Sequence, residues 1–317
     1  MSEFMKSLKK KLMTDKHLAE STSDAYIRTL YTLNGRQNFK NLNFLKKTAE
    51  IESLLSNYAD STRKSMLASI VSVLAMAGQG FKKAHDSYSV PMMTLSKESK
   101  EFDSKNEKTA KQKDNWISWE DIQKKHQDLI GKVSPYVNKR SLTASEWNTL
   151  QQLLVLSLYT MIPPRRNQDY LLMDVGAKPE SPDRNLYEKA KQDFIFRKFK
   201  TAKTFGEQKE NVPENLQSVL DAYLTFHPLR KESTFPLLVT SDGRPITSGN
   251  AITRILNSVL GGKVGASMLR HIYLSHKFGD TLADMKSTAQ KMGHSLSESH
   301  VYTKQDSDSD SETSDSD

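Results

Sequence analysis

The sequence predicts a mainly α-helical protein of the α+β class, in two domains, with a small antiparallel sheet confined to the C-terminal one. Three observations lead there. A chain of 317 residues exceeds what a single hydrophobic core usually supports, so it is expected to divide. Its first ninety or so residues carry only amphipathic patterns of helical period. Beyond residue 116, further helical patterns enclose strand-like runs, two of them joined by a short turn.

Residues 14–90 read as three or four short helices. TSDAYIRTLYTL (22–33) opens on Ser/Thr/Asp capping chemistry and sets Tyr26, Leu30 and Leu33 on one face. AEIESLLSNY (49–58) follows. STRKSMLASIVSVLAMAG (61–78) then aligns Met66, Ile70, Val73, Leu74 and Ala77 and stops at Gly78. Lys and Arg decorate the other faces, so residues 1–94 are expected to form a helical bundle with a basic exterior. Residues 95–115 mix six lysines with five acids and have almost no apolar periodicity, the composition of a charged linker.

A second domain, 116–304, restarts with WISWEDIQKKHQDLI (116–130). Thr143 and Glu146 form a capping box that opens WNTLQQLLVLSLYTMI, a helix apolar nearly all round and therefore buried, whose end Pro163 and Pro164 enforce. DFIFRKFK (193–200) and EQKENVP (207–213) predict a hairpin about the turn TAKTFG. FPLLVTSDGRPIT (235–247) gives a strand, a turn, and a helix start at Thr247 or Ser248 that runs to Leu260. Helical stretches at 266–278, 282–292 and about 296–303 complete the domain. Residues 305–317 alternate Asp or Glu with Ser or Thr, cannot bury a core, and read as a disordered acidic tail.

With 36% hydrophobic and 26% charged residues, the composition is neither that of a membrane protein nor that of a disordered one. The longest apolar run, LLVLSLYTMI at 153–162, is too short for a bilayer span, and MSEFMKSLKKKL lacks the apolar stretch of a secretory signal. The absence of cysteine excludes disulfides and Cys-ligated zinc and fits a reducing compartment. A formal charge of +8 understates the folded part. With the six acids of 306–317 set apart, 46 basic residues face 32 acidic ones, a formal +14 on residues 1–305. Such a surplus favours phosphate-bearing partners through counterion release.

The second domain places polar residues where its helices and turns end. Arg165 and Arg166 follow the two prolines; Lys198, Lys200 and Lys203 ride on the hairpin; Arg270 and His271 interrupt the apolar pattern of MLRHIYLSHKF; His294 follows Gly293; Tyr302 comes last. Four of the eight histidines fall between 271 and 300, yet their spacing matches no metal-ligand set, so no metal site is expected. Two arginines, a lysine, a histidine and a tyrosine suit phosphoryl transfer without a metal. Guanidinium forks match phosphate oxygens, lysine can protonate a leaving alkoxide, and a tyrosine hydroxyl can attack phosphorus.

Order and spacing carry a resemblance. PPRRNQDY (163–170), RKFKTAKTFG (197–206), SMLRHIYLSH (267–276) and MGHSLSESHVY (292–302) resemble, in sequence, the box I arginine, the hairpin lysine, box II and the closing His-to-Tyr motif of the tyrosine recombinase (integrase) family. The wording is closest to recombinases of eukaryotic mobile elements and of large DNA viruses or their satellites. The likeness covers most of residues 14–304. It implies a helical core-binding domain and a mixed catalytic domain that together clamp double-stranded DNA.

In that family's scheme the nucleophile is Tyr302, supported by Arg166, Arg270 and His294, with Lys200 as the general acid and Asp169 orienting the arginine. Arg165 and Lys203 stay open as alternates to Arg166 and Lys200, and Arg165, Lys198 and Lys203 are expected to contact DNA. The box II histidine of the family falls on Ser267 here, which leaves water, His271 or His300 to accept the tyrosine's proton. The resemblance implies strand cutting and rejoining through a 3′-phosphotyrosyl intermediate, without ATP, metal or other cofactor. It also implies a homo-tetrameric synaptic complex and work at DNA inside a cell: nucleus, cytoplasm or viral factory. Two other readings share the pattern, a type IB topoisomerase-like enzyme and a DNA-binding protein of this fold with impaired catalysis.

Overall fold

The structure is a computed structural model in which residues 1–295 are described; the helix expected at 296–303, Tyr302 and the acidic tail lie outside the described residues. The chain divides into two units, Met1–Lys108 and a second from Thr109 onward. It is mainly helical, 61%, with one mixed five-stranded sheet.

The first unit contains α1 (Glu3–Thr14), α2 (Glu20–Leu33), α3 (Thr48–Leu55), α4 (Asp60–Leu74) and α5 (Lys82–Ser104). Helix α1 was not expected from the sequence. Its charged residues mask a buried stripe of Met5, Leu8 and Leu12, and Ser2 caps it by accepting from the Met5 N–H. Helix α2 starts two residues before the expected Thr22, after Ala19 and without a side-chain cap; Ile27, Leu30 and Leu33 are buried and Tyr26 packs at the margin. In α4 the expected Met66, Ile70, Val73 and Leu74 enter the core. Helix α5 passes through Pro91 and buries Tyr88, whose hydroxyl donates to Leu45 O at 2.8 Å.

Residues 95–115 correct an expectation of secondary structure. Helix α5 continues through them to Ser104, and α6 (Ala110–Asn115) follows, opened by a Thr109–Gln112 capping box. Missing apolar periodicity signals that a segment is not buried. It does not forbid a helix, and Lys, Glu, Gln and Ala are good helix formers.

In the second unit α7 (Trp119–Val133) leads to α8 (Ala144–Thr160), capped by Thr143 and Glu146 as the sequence predicts, with eleven of its seventeen residues buried. Next come α9 (Asn167–Leu171), β1 (Met173–Gly176), β2 (Asn185–Glu188), β3 (Asp193–Phe196), α10 (Ala202–Phe205), β4 (Gln208–Asn211), α11 (Glu214–Thr225), β5 (Thr234–Pro236), α12 (Gly249–Leu260) and α13 (Ala266–Lys291). Helices α7, α11, α12 and α13 all pack on α8.

The sheet runs β4-β3-β2-β1-β5. The β3–β4 hairpin forms in antiparallel register, Ile195 opposite Lys209. An entirely antiparallel sheet does not: β1 and β2 pair in parallel, Met173 opposite Asn185. The short 177–184 connection that allows this is pinned from below by the buried Asp174 carboxylate. It accepts from Arg184 Nε at 2.8 Å and Nη2 at 2.7 Å, and from the Glu180 N–H at 2.8 Å. A second correction concerns α13, which is one helix where two were expected at 266–278 and 282–292, because Gly279 lowers helix propensity without ending a helix.

Candidate active site

Pro163 and Pro164 end the run of α8 and turn the chain outward, and Arg166 takes the N-cap position of α9 with extended backbone, φ −78° and ψ 150°. The two adjacent arginines then meet opposite surroundings. Arg165 is held inside the unit. Its Nε donates to Asp169 Oδ2 at 3.1 Å, Nη1 to Glu210 Oε1 at 2.8 Å and Nη2 to Gln208 Oε1 at 3.0 Å. Its guanidinium also lies 3.7 Å from the centre of the Phe196 ring. Arg166 has no hydrogen-bond or ion-pair partner for its side chain among the described residues, and neither has Arg270 on the first turns of α13.

Arg165, Arg166 and Arg270 line one pocket of about 240 Å³, together with Asp169, Glu210 and Phe199. Three guanidinium groups therefore face two carboxylates, both of which already answer Arg165. The two cations without a partner among the described residues leave the pocket with positive charge to spare, and guanidinium forks suit the oxygens of a phosphate.

The wall behind the arginines is cross-linked by hydrogen bonds. Tyr159 of α8 donates to Asn167 Oδ1 at 2.6 Å, and Asn167 Nδ2 donates to Gly249 O at 2.9 Å and Thr253 Oγ1 at 3.2 Å, which joins α8, α9 and α12. Burial pushes the Asp169 carboxyl above its ordinary value against the pull of the Arg165 guanidinium, and its second oxygen, Oδ1, has no hydrogen-bond partner among the described residues. Burial likewise raises the Tyr159 hydroxyl, the Asp169 charge raises it further, and Arg270 acts in the opposite direction.

The remaining sequence-predicted residues are scattered. Strand β3 ends at Phe196, so Lys198, Lys200 and Lys203 all lie on the β3–β4 connection, exposed, and none lines the pocket. Lys198 Nζ pairs with Asp183 at 3.3 Å. Ser267 and His271 are exposed on α13, on either side of Arg270 in sequence. His294 follows the helix end, where Gly293 adopts φ +74° and the His294 N–H donates to Ala289 O at 3.1 Å; it is not among the residues lining the pocket.

Three residues of the site were missed by sequence reasoning. Gln208 and Glu210 hold Arg165, and the buried Asn185 fixes the start of the β3–β4 connection. The first two had a signal, an i, i+2 pair of polar side chains on one face of a predicted strand. Asn185 had none. The sequence matches no protein-family model and no curated protein.

Proposed function

We propose that the chain is a DNA strand transferase of the tyrosine recombinase type, with Thr109 onward as the catalytic unit and Met1–Lys108 as a helical core-binding unit. The observation that carries this reading is the pocket lined by both Arg166 and Arg270, 104 residues apart in sequence, whose guanidinium groups have no partner among the described residues. The family resemblance assigns the phosphate to the same two residues, with Arg165 as the alternate to Arg166. The surplus of 46 basic residues over 38 acidic ones adds support for a polyanionic partner.

In this reading Arg166 and Arg270 hold a scissile phosphate of duplex DNA and neutralise the charge that builds on its non-bridging oxygens. The Tyr302 hydroxyl attacks phosphorus, a 3′-phosphotyrosyl bond forms as the bond to the 5′ oxygen breaks, and Lys200 gives that oxygen its proton. The energy of the phosphodiester is kept, so the reverse attack by a 5′-hydroxyl reseals a strand without ATP or a metal. Both units would contact the duplex through phosphates, and four copies on two sites would exchange strands.

The test incubates the full chain with nicked duplexes taken from the sequence flanking its gene and follows covalent protein–DNA adduct on a denaturing gel. Adduct that disappears in Tyr302→Phe is the expected result; DNA binding without adduct sinks the cleavage reading, and adduct that survives Tyr302→Phe sinks the assignment of the nucleophile. One observation favours a second reading, a DNA-binding protein of this fold with impaired chemistry: Ser267 stands exposed three residues before Arg270, where the family places a histidine. Under that reading wild type binds without cleaving and Ser267→His restores adduct.

A further inference from the structure

The β3–β4 connection leaves the sheet at Phe196, where the ladder bond to Gln208 is the last. The next two N–H groups, of Arg197 and Lys198, have no strand to pair with. Both donate to one atom, Asn185 Oδ1, at 2.8 and 2.7 Å. The other end of that amide donates to Lys198 O at 3.0 Å and to Asp169 O of α9 at 2.7 Å. Asn185 is fully buried, and every donor its amide has, with both lone pairs of its oxygen, is in use. No other side chain of this size offers two acceptor sites and two donors at once. Aspartate lacks the donors, and an apolar residue would leave buried backbone groups unpaired.

This one amide joins the lysine-bearing connection to the helix that carries the arginine pocket. On one side Asp169 holds Arg165, and α9 begins at Arg166. On the other side Phe199, next to Lys198, lies 5.1 Å from the Arg165 guanidinium and lines the pocket with Thr201 and Phe205. An ion pair from Arg197 Nε to Glu207 Oε2, 2.6 Å, closes the base of the connection. Lys200 and Lys203 sit between these fixed points.

We infer that Asn185 is a positioning residue for proton delivery: it sets where the connection's lysine stands relative to a phosphate bound at Arg166 and Arg270. The inference rests on the strand-transfer reading above. Asn185 touches no substrate and acts through the backbone of Arg197 and Lys198. Loss of the amide would leave the arginine pocket able to bind phosphate while the leaving 5′ oxygen lost its proton donor.

The experiment uses the full chain and two nicked duplexes identical except at the scissile 5′ position, where one carries oxygen and the other sulfur. A 5′ thiolate departs without being protonated, so it does not need the general acid. With Asn185→Ala, adduct formation on the oxygen substrate is expected to slow about 100-fold, the lower range for general-acid catalysis, while the sulfur substrate slows less than about 3-fold. Equal slowing on both substrates, or none on either, overturns the positioning role. Should Asn185→Ala fail to fold, Asn185→Asp keeps the acceptor for Arg197 and Lys198 and loses the two donor bonds, to Asp169 O and to Lys198 O. The same selective loss, smaller in size, is then expected, and an equal loss again overturns the role. Wild type that forms adduct on neither substrate overturns the strand-transfer reading and this inference together, whereas wild-type adduct with unselective loss in the variants removes Asn185 alone.

Discussion

The two ends of the buried helix α8 handle charge in opposite ways. At its start the Glu146 carboxylate accepts from the Thr143 N–H and hydroxyl, both at 2.9 Å, and pairs with Lys139. The Lys139 hydrogen bond leads the interactions that pull its pKa down to about 2. Behind it the Trp147 ring lies tilted 4.7 Å from Tyr223, and His227 lies 4.5 Å from Phe235. At its end the chain turns at two prolines into Arg165, which is answered three times, and Arg166, whose side chain has no hydrogen-bond or ion-pair partner among the described residues. The core is common to both ends. What differs is whether a charge is satisfied within the unit, and an unsatisfied pair of cations in a concave surface is what a folded chain keeps for a ligand rather than for its own stability.

The largest expected effect tests the answered arginine. Arg165→Ala would strand the Asp169 carboxylate, whose side chain is 3% exposed, and is expected to cost the second unit about 3–5 kcal/mol in urea unfolding. Adding Asp169→Asn should recover part of that loss, because the two residues share one interaction. Little loss in Arg165→Ala would mean that Glu210 and Gln208 hold nothing that matters.

Arg166→Ala and Arg270→Ala are expected to do the reverse. Their stability should stay within about 0.5 kcal/mol of wild type, since neither side chain has a partner among the described residues. Their rate of covalent adduct formation should fall about 10²–10³-fold, the usual cost of one donor to a charged transition state. If either variant unfolds as easily as Arg165→Ala, the contrast between the two neighbours collapses.

That contrast was half legible in the sequence. The box of Thr143 with Glu146 and the two prolines that turn the chain into Arg165 and Arg166 are local patterns, and local patterns survive in a string of letters. Which neighbour is pinned was not legible, because Glu210 and Gln208 arrive from 43 to 45 positions away through strand pairing. The parallel β1–β2 pair was hidden for a similar reason. It depends on one buried ion pair, Asp174 with Arg184, that lets a short connection turn back on itself. The helical course of the charged stretch, through the end of α5 at Ser104 and through α6 at 110–115, was missed for a different cause: a solvated segment shows no apolar stripe, and periodicity was the signal in use.

A smaller effect separates the packed end of α8 by pH. Burial lowers the His227 pKa from its ordinary 6.5 to about 4, and its Nδ1 accepts the Leu229 N–H at 3.1 Å, so the ring is buried neutral. Between those two values the unfolded chain binds more protons than the folded one, and stability therefore rises with pH. The contribution is complete above about pH 6.5 and lost as pH falls toward 4, about 3 kcal/mol in all. His126, buried with Nε2 2.7 Å from Ser157 Oγ, is lowered by burial too and adds to the same slope. Unfolding measured from pH 7 to 4 in His227→Asn, whose side-chain oxygen can still accept from Leu229, should show a shallower slope than wild type; an unchanged slope would remove His227 from the account.

The smallest effect asks whether the two ends are independent. Thr143→Ala removes the hydroxyl that accepts the Glu146 N–H at 3.3 Å and donates to its carboxylate, and helix caps of this kind contribute about 1 kcal/mol. For a unit of this size that corresponds to a fall of roughly 2–4 °C in Tm, and Thr143→Ser, which keeps the oxygen, should recover most of it. The arginine pocket lies at the other end of a 17-residue helix, roughly 25 Å away at 1.5 Å per residue. Adduct formation by the folded Thr143→Ala protein at 25 °C should therefore equal wild type. A cap variant that lost rate while folded would show that the pocket is tuned through α8, and the two ends would then have to be treated as one coupled element rather than as a locked end and a receptive one.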